Sequence, residues 1–507
     1  MPALPRPFSG PFASLAALAA PVLLAGCVGP DFTPPAAPKD AGYTQAPLPA
    51  ETVAAPVAGG EAQHFKTGAD IPAEWWRLFH SEQLDAMIAE ALKANPTLEA
   101  AEAALRQAEE SADAQRGGFF PQVQAGFSAE RAKNANGTLS PVTTSPSPFY
   151  NLYTGQLSVS YTPDVWGANW RAVENLDAQT EAQVFQLEAA HLTLTANLVA
   201  AAINEAGLRG QIAAVTDIIR IERELLEVLK RQQDLGQVAE ADVVAQKAAL
   251  AQAEQALPPL EKQLAVQRDA LAALMGHLPN QPPAQAFDLD GLTLPVDLPV
   301  SLPSKLVEQR PDIRQAEANL HAASAAVGVA IANRLPVVSL TADLGSTAAL
   351  LAGNDPANMA LFTPGTGFWS LAGSLTQPLF DGFTLLHRQH AAEAAFDQAR
   401  AQYRSTVVTA FQNVADSLHA LKLDAEALEK AAAAEKAADE SLEITRTQLE
   451  LGAVGYPSLL DAEQTELQAR VALIQARAAR FADTTALFQA LGGGWWNRAP
   501  AGPPPAS

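Results

Sequence analysis

Proline and glycine recur along this chain at a nearly constant spacing. Pro96, Pro121, Pro163 and Gly167 have counterparts 215 positions later, at Pro311, Pro336, Pro378 and Gly382. Gly236 and Gly276 have counterparts 216 positions later, at Gly452 and Gly492. Chance matching of these residues would not keep the offset so constant. The spacing therefore predicts two copies of one unit, each far longer than the ~20–50 residues of a solenoid repeat.

Each copy is predicted to contain one very long helix and a shorter return helix. The predicted ranges are 168–234, 240–276, 383–450 and 456–491. They are rich in Ala, Leu, Glu and Gln with helical periodicity, and at ~1.5 Å per residue the first would reach roughly 100 Å. Gly236 and Gly452 are placed to cap the long helices, whereas Pro258-Pro259 is expected to kink or restart the first return helix.

Short segments with a period of two precede each long helix. The predicted strands are 119–131, 152–163, 335–346 and 367–379. Leu157, Val159 and Tyr161 alternate with Ser158 and Ser160, for example. Such alternation is typical of a membrane β-strand with one face on lipid and one on a lumen. An antiparallel sheet with one face on a soluble core is the alternative.

Four strands cannot close a barrel, and open strand edges are not tolerated in lipid. Two copies of the chain would give about 8 strands and little lumen, whereas three would give about 12 and a water-filled pore. We therefore expect a homotrimer. The polar loops 132–151 and 348–366 are the expected extracellular loops, which leaves the helices in the periplasm.

The N-terminus is predicted to be a targeting segment that carries a lipid. Leu24-Ala25-Gly26-Cys27 follows a short apolar stretch and matches a bacterial lipobox. Cys27, the single cysteine, would carry a diacylglycerol and an acyl chain, although an ordinary signal with an incidental cysteine is the alternative. The predicted domains are 1–26 signal peptide, 27–80 lipidated extended segment, 81–277 first repeat, 278–303 linker, 304–492 second repeat and 493–507 flexible tail.

Composition argues against two classes of protein. A formal charge of −22 and a pI near 4.7 disfavour nucleic-acid binding, which needs basic patches. The eight histidines are scattered, and neither a Gly-x-Ser-x-Gly elbow nor a phosphate loop is present. No enzyme, metal site or cofactor is therefore expected.

Several motifs in order carry a family resemblance. They are Cys27-Val28-Gly29-Pro30-Asp31-Phe32, Trp75-Trp76-Arg77-Leu78-Phe79, Arg310-Pro311-Asp312-Ile313, Gln377-Pro378-Leu379-Phe380-Asp381-Gly382 and Leu459-Leu460-Asp461-Ala462. With them the chain resembles the TolC-like outer membrane factors, specifically the NodT or OprM type of lipoprotein. The resemblance implies an α+β membrane protein, a trimeric 12-stranded β-barrel continuous with an α-helical barrel. It also implies a periplasmic adaptor and an inner-membrane RND-type pump as partners.

The resemblance further implies a gate at the periplasmic tip. Asp461 and Asp242 would each form a ring of three carboxylates, which attracts cations. Alternatively, both are first-turn aspartates favoured by the helix dipole. Gly236 and Gly452, at the helix turns, would contact the adaptor. Pro457 stands where the family more often has an apolar residue that forms part of a hydrophobic constriction. The sequence therefore leaves undecided whether this chain has a hydrophobic ring.

The expected function is the outer-membrane exit duct of a tripartite efflux pump. The outer-membrane component of a type I protein secretion system is one alternative. A coiled-coil lipoprotein without a pore is another, but it leaves the four alternating strands unexplained. Because the two copies differ most at the tip, the second helix pair is expected to move further when the duct opens.

Overall fold

The computed structural model describes residues 28–38, 42–133, 149–284, 286–351 and 361–498. The chain forms two compact units. The first unit draws on Met1–Pro34, Arg106–Glu181 and Ala318–Ala401. The second draws on Pro35–Leu105, Ala182–Glu317 and Gln402–Ser507.

Fourteen strands and α-helices are labelled in chain order within the described residues. The strands are β1 (His64–Thr67), β2 (Gln122–Lys133), β3 (Phe149–Tyr161), β4 (Asp297–Val300), β5 (Val337–Leu351) and β6 (Gly367–Thr376). The first four helices are α1 (Glu82–Ala94), α2 (Pro96–Arg116), α3 (Ala168–Asp234) and α4 (Glu240–Leu274). The others are α5 (Pro303–Gln309), α6 (Pro311–Ala332), α7 (Thr384–Glu450) and α8 (Tyr456–Ala490).

Corresponding elements of the two halves keep the spacing read from the sequence. β5 begins at Val337, 215 positions after Gln122 at the start of β2. The long helices α3 and α7 have 67 residues each, and the return helices α4 and α8 have 35 each. None of the described helices is both long enough and apolar enough to cross a membrane.

The main sheet lies in the first unit and has the strand order β2-β3-β5-β6. All three pairings are antiparallel. The outer strands β2 and β6 each have a strand neighbour on one side only, as far as the described residues extend. A single chain therefore leaves two open edges on this sheet.

The register of the sheet separates apolar from polar rows. One row across the four strands is Ala125, Leu157, Leu344 and Trp369, and the next is Gln124, Ser158, Asp343 and Ser370. Adjacent rows point to opposite faces. The Asp343 carboxylate accepts hydrogen bonds from Ser158 Oγ at 2.6 Å and Ser370 Oγ at 3.0 Å. On the other face, Leu344 and Trp369 are 62% and 78% exposed.

Glycine ends both long helices. Gly236 and Gly452 have φ angles of 74° and 73°, which a residue without a side chain adopts most easily. In each turn, the residue after the glycine donates its N–H to the carbonyl five positions earlier, at 2.8 Å. This Schellman arrangement satisfies carbonyls that the helix leaves free.

The predicted restart at Pro258-Pro259 is wrong, because α4 continues from Glu240 to Leu274 through both prolines. Both rings are exposed, so the backbone carbonyls that lose an N–H partner lie on the side open to water. Leu257 and Leu260 pack, meanwhile, on the apolar cluster that contains Ala253. Packing on one face therefore holds the helix together, while water can hydrogen bond to the free carbonyls on the other face.

The core of the second unit forms around the motif Trp75–Phe79. This segment is a 3-10 helix in which Trp75 and Phe79 are fully buried. The Trp75 ring stacks on Phe488 of α8 with centroids 5.2 Å apart. Apolar side chains of α1, α3, α7 and α8 surround it in one cluster, so the tryptophan motif is a packing centre.

The N-terminal segment and the linker contain structure that the sequence did not predict. β1, from the segment 27–80, pairs in parallel with β4, from the linker 278–303. Both strands are only four residues long, too short for a periodic signal. The buried Arg480 of α8 also binds this N-terminal segment through Gln63 and Thr52.

The flexible tail predicted from residue 493 is wrong for its first residues. Trp495–Asn497 form a 3-10 helix. Trp495 Nε1 donates to the Gln309 carbonyl at 2.7 Å, and Trp496 Nε1 donates to Asp70 Oδ1 at 2.9 Å. Positive φ angles at Gly492, Gly493 and Gly494 turn the chain so that both indoles reach acceptors. Residues 499–507 lie outside the described part.

Candidate gate at the helix tips

Two five-residue loops join the long helices to their return helices. We call residues 235–239 the first tip loop and residues 451–455 the second tip loop. Leu235 and Leu451 directly precede the capping glycines and are 72% and 79% exposed. Each loop therefore presents one apolar side chain beside Gly236 or Gly452, the residues predicted to contact an adaptor.

Asp242 lies where a helix-capping role is possible. It is the third residue of α4 and half-buried. Its Oδ2 accepts a hydrogen bond from the backbone N–H of Ala239 at 3.2 Å. The alternative interpretation, a first-turn aspartate that stabilises the helix start, has the required geometry here.

Asp461 lies in a different position on its helix. It is the sixth residue of α8, whose first turn contains no acidic residue. Its side chain is exposed, and its main-chain carbonyl accepts a hydrogen bond from the Thr465 hydroxyl at 2.7 Å. The capping interpretation therefore does not apply to Asp461. Within the part of the chain that the structure describes, no hydrogen bond joins Asp461 to Asp242.

A contact that the sequence did not predict links the two helix pairs at the tip. Tyr456, the first residue of α8, donates its hydroxyl to Gln232 Oε1 of α3 at 2.8 Å. The ring packs on a cluster that contains Leu226, Leu229 and Val243. Pro457, by contrast, is exposed. The structure thus has a tyrosine, not the proline, bridging the pairs within one chain.

Above the tip, three buried carboxylates lie between these helices. They are Glu222 of α3 and Glu463 and Glu466 of α8, at 5%, 2% and 2% exposure. None of the three was predicted from the sequence as a site residue. A signal was available, since Glu463 and Glu466 continue the spacing of the apolar residues Tyr456 and Leu459.

The residue predicted to carry the lipid, Cys27, lies outside the described residues. The residues that follow it contact other parts of the first unit. Asp31 accepts a hydrogen bond from Arg171 at 2.6 Å, and the Phe32 ring stacks on His321 at 4.5 Å. Gly29 has a φ of 113° and lies so close to Gly328 that a side chain would collide with it.

The described residues lack the grouping of side chains that a metal site requires. Those residues contain no group of three or more His, Cys, Asp or Glu side chains that could hold a metal ion. The tip contains the exposed carboxylate of Asp461, the capping carboxylate of Asp242 and the inter-helix hydrogen bond of Tyr456.

Known proteins with similar sequences match most of the chain. The family model described as outer membrane efflux protein matches residues 87–277 and 302–493. The pyoverdine export outer membrane protein OpmQ of Pseudomonas aeruginosa is 28% identical over 462 residues, covering 90% of this chain and 94% of OpmQ. The cation efflux system protein CusC of Escherichia coli is 29% identical over 437 residues, covering 83% of this chain and 88% of CusC.

A solved structure with the same fold covers a similar share. The outer-membrane channel OprN has a TM-score of 0.80 and 27% identity, with 93% of this chain and 100% of that chain covered.

Proposed function

Because this chain belongs to the outer membrane efflux protein family, we propose that three copies of it close one 12-stranded barrel in the outer membrane. The protein is an outer-membrane exit duct of tripartite efflux, working with an adaptor and a pump, and it is not an enzyme. The trimer, the gate and the lipid anchor are the parts that we propose for this chain.

The observation that carries the trimer is the pair of open edges on the main sheet, at β2 and β6. Unpaired N–H and C=O groups cannot remain exposed to lipid, where each costs several kcal/mol. Pairing β6 of one copy with β2 of the next closes both edges by cyclic symmetry. The exposed apolar row that contains Leu344 and Trp369 would then face lipid, and the row that contains Asp343 would face the lumen.

The two copies of the family match support a duplicated chain. The matched ranges 87–277 and 302–493 start 215 positions apart and end 216 apart, in agreement with the offsets of the glycines and helices. We infer that each half contributes one strand pair and one long helix pair to the assembly.

At the tip, we propose that Asp461 forms the selective ring of the gate. Its exposure and its place beyond the first helical turn leave the carboxylate available, whereas Asp242 already caps α4. Three exposed carboxylates close to a three-fold axis would attract cations and repel anions. The tip glycines Gly236 and Gly452, with the exposed leucines beside them, are the proposed contact for the adaptor.

Planar bilayers test the duct and its ring together. Purified wild-type protein should open discrete channels that prefer cations, and Asp461→Asn should lower the cation-to-anion permeability ratio several-fold, because three charges leave the constriction. Single-channel reversal potentials in a salt gradient measure that ratio. A protein that opens no channel in either form contradicts the duct.

Two further variants separate charge from helix capping in that measurement. Asp461→Glu keeps the charge and should keep the ratio near the wild-type value. Asp242→Asn removes a charge but retains an oxygen for the Ala239 N–H, so it should leave α4 intact. If Asp242→Asn lowers the ratio as much as Asp461→Asn does, both residues belong to the ring.

We also propose that Cys27 carries an N-terminal lipid. The lipobox residues that precede Cys27 support this proposal. Cys27→Ala should remove the lipid mass while trimers still form, since a barrel anchors the protein more strongly than one lipid group does. Intact-mass spectrometry of outer-membrane fractions measures both. Complete loss of trimers would contradict this ranking of the two anchors.

The cargo is proposed to be set by the pump. The names of the two relatives refer to different cargoes, pyoverdine for OpmQ and cations for CusC, although both match this chain at similar identity. The duct would supply width and charge. Cross-linking in cells followed by identification of co-purified proteins would reveal the adaptor and pump of this chain.

A further inference from the structure

One face of α8 carries both apolar and acidic residues into the interior. Leu459, Glu463 and Glu466 are buried to 4%, 2% and 2% exposure. Tyr456 packs on Leu226 and its neighbours below them. Leu467 joins the cluster of Val215, Ile218 and Ile219 above them. The two glutamates therefore lie in a polar layer between two apolar layers, where α8 meets α3, α4 and α7. We call this layer the acidic seam.

Glu463 is incompletely paired in the seam. Its Oε1 lies 3.7 Å from Arg446 Nη2 of α7, and Arg446 is also paired with Glu443 at 2.8 Å. Its Oε2 is buried and has no hydrogen-bond partner among the described residues. A long, shared ion pair compensates poorly for removing a carboxylate from water.

The helices opposite add a second acid but no basic partner for Glu463. Glu222 of α3 is hydrogen bonded to the side-chain amide of Gln246 of α4. Gln246 Oε1 is itself buried without a donor. Glu466 pairs with Arg470 at 3.0 Å and is also influenced by Glu435, Asp439 and Arg446 of α7.

Electrostatics in the seam favour a protonated carboxyl. The pKa of Glu463 is raised to about 7, chiefly by burial and to a smaller extent by the nearby Glu222, while Arg446 opposes the shift. Burial also raises the pKa of Glu222 and of Glu466. Added copies of the chain can only increase the burial of these groups.

We propose that Glu463 is a positioning residue that binds a proton and thereby holds the start of α8, and with it Asp461, against α3 and α4. The inference rests on the proposed gate at the tip. Protonated, Glu463 adds no charge to the seam, so the cost of burying the carboxyl group falls. Deprotonated, it faces Glu222 with only Arg446 in compensation, and the seam loosens.

The direction of the pH effect follows from the two states of the seam. In the closed seam the pKa of Glu463 is about 7, whereas in an opened, hydrated seam it would return to about 4.3. Stabilisation of the closed state is therefore fully present below about pH 4.3 and is lost as pH rises through about 7. Within that window one proton can change the opening equilibrium by up to about tenfold per pH unit.

Amide hydrogen exchange on the intact detergent-purified protein tests this without requiring a channel. After correction for the intrinsic rate, exchange in the first three turns of α8 should rise at least about tenfold between pH 5 and pH 7 in wild type. In Glu463→Gln, which imitates the protonated carboxyl, exchange should be slow and nearly independent of pH. Glu440→Gln, an exposed acid on α7, is the matched control and should behave like wild type.

Two outcomes would overturn the proposal. One is a pH response in Glu463→Gln as large as that of wild type, which would assign it to other groups. The other is wild-type exchange that does not change with pH. Bilayer recordings on the same proteins distinguish failure of the proposed gate from failure of the proposed role of Glu463. If hydrogen exchange follows the prediction but no channel opens, the gate is contradicted and the role of Glu463 is supported. If channels open but hydrogen exchange does not depend on pH, the role of Glu463 is contradicted and the gate is not.

Discussion

Leu371→Arg should nearly abolish trimers in the outer membrane. Leu371 is 76% exposed on β6, in the strand that we propose pairs with the neighbouring copy, and it lies on the same face as Trp369. An arginine on the lipid face near the bilayer centre costs about 2–4 kcal/mol, and a trimer would carry three of them. Heat-stable trimers in outer-membrane fractions, quantified by gel without boiling, measure the effect.

The adjacent residue supplies a matched control. Ala372 is exposed on the same strand but on the opposite face, so Ala372→Arg should allow trimers and instead reduce cation preference in bilayers, since a lumen substitution tunes selectivity. Equal loss of trimers in both variants would contradict the assignment of faces. Intact Leu371→Arg trimers would contradict the membrane position of the sheet.

Arg480→Ala should lower stability by about 3 kcal/mol and release the N-terminal segment from the second unit. The Arg480 guanidinium is fully buried. It donates to Thr52 Oγ1 at 3.1 Å and to Gln63 Oε1 at 3.3 Å, and also to the Glu61 carbonyl. Removing it takes the donor away from the buried Gln63 Oε1 and opens a cavity, each of which is costly.

The measurement has a global and a local part. The midpoint of denaturant unfolding should fall, and limited proteolysis should cut between residues 51 and 63 in the variant before it cuts elsewhere. Arg220→Ala is the control, because the Arg220 side chain is 58% exposed and its pairs with Asp217 and Glu224 lie on the surface, where such pairs contribute little. If the segment stays protected in Arg480→Ala, other contacts hold it.

Local signals were enough to place the long elements. The helix α3 begins and ends at the predicted residues 168 and 234, because glycine with positive φ is required where the chain turns back. The strands follow the period of two that their two-sided environment imposes. Short elements such as β1 and β4 carry no such signal, since their pairing depends on residues more than 200 positions apart.

In the candidate gate, too, some features could be predicted from the sequence and others could not. Asp461 could be selected from a motif. Its exposure and the capping hydrogen bond of Asp242 became known only from the tertiary structure. The bond from Tyr456 to Gln232 spans 224 positions. The restart predicted at the proline pair in α4 was wrong, because sequence alone did not say that the outer face of the helix is open to water there.

What the sequence determined by itself is the repeated scaffold: the spacing of its breakers, the length of its helices and the two faces of its strands. These depend on backbone dihedral angles and side-chain periodicity, which are local properties. Tertiary structure alone decided which sheet edges stay open, where Arg480 is anchored and why Glu463 lacks a full partner. Those features arise because burial and desolvation depend on what other helices bring alongside, and no local pattern contains that information.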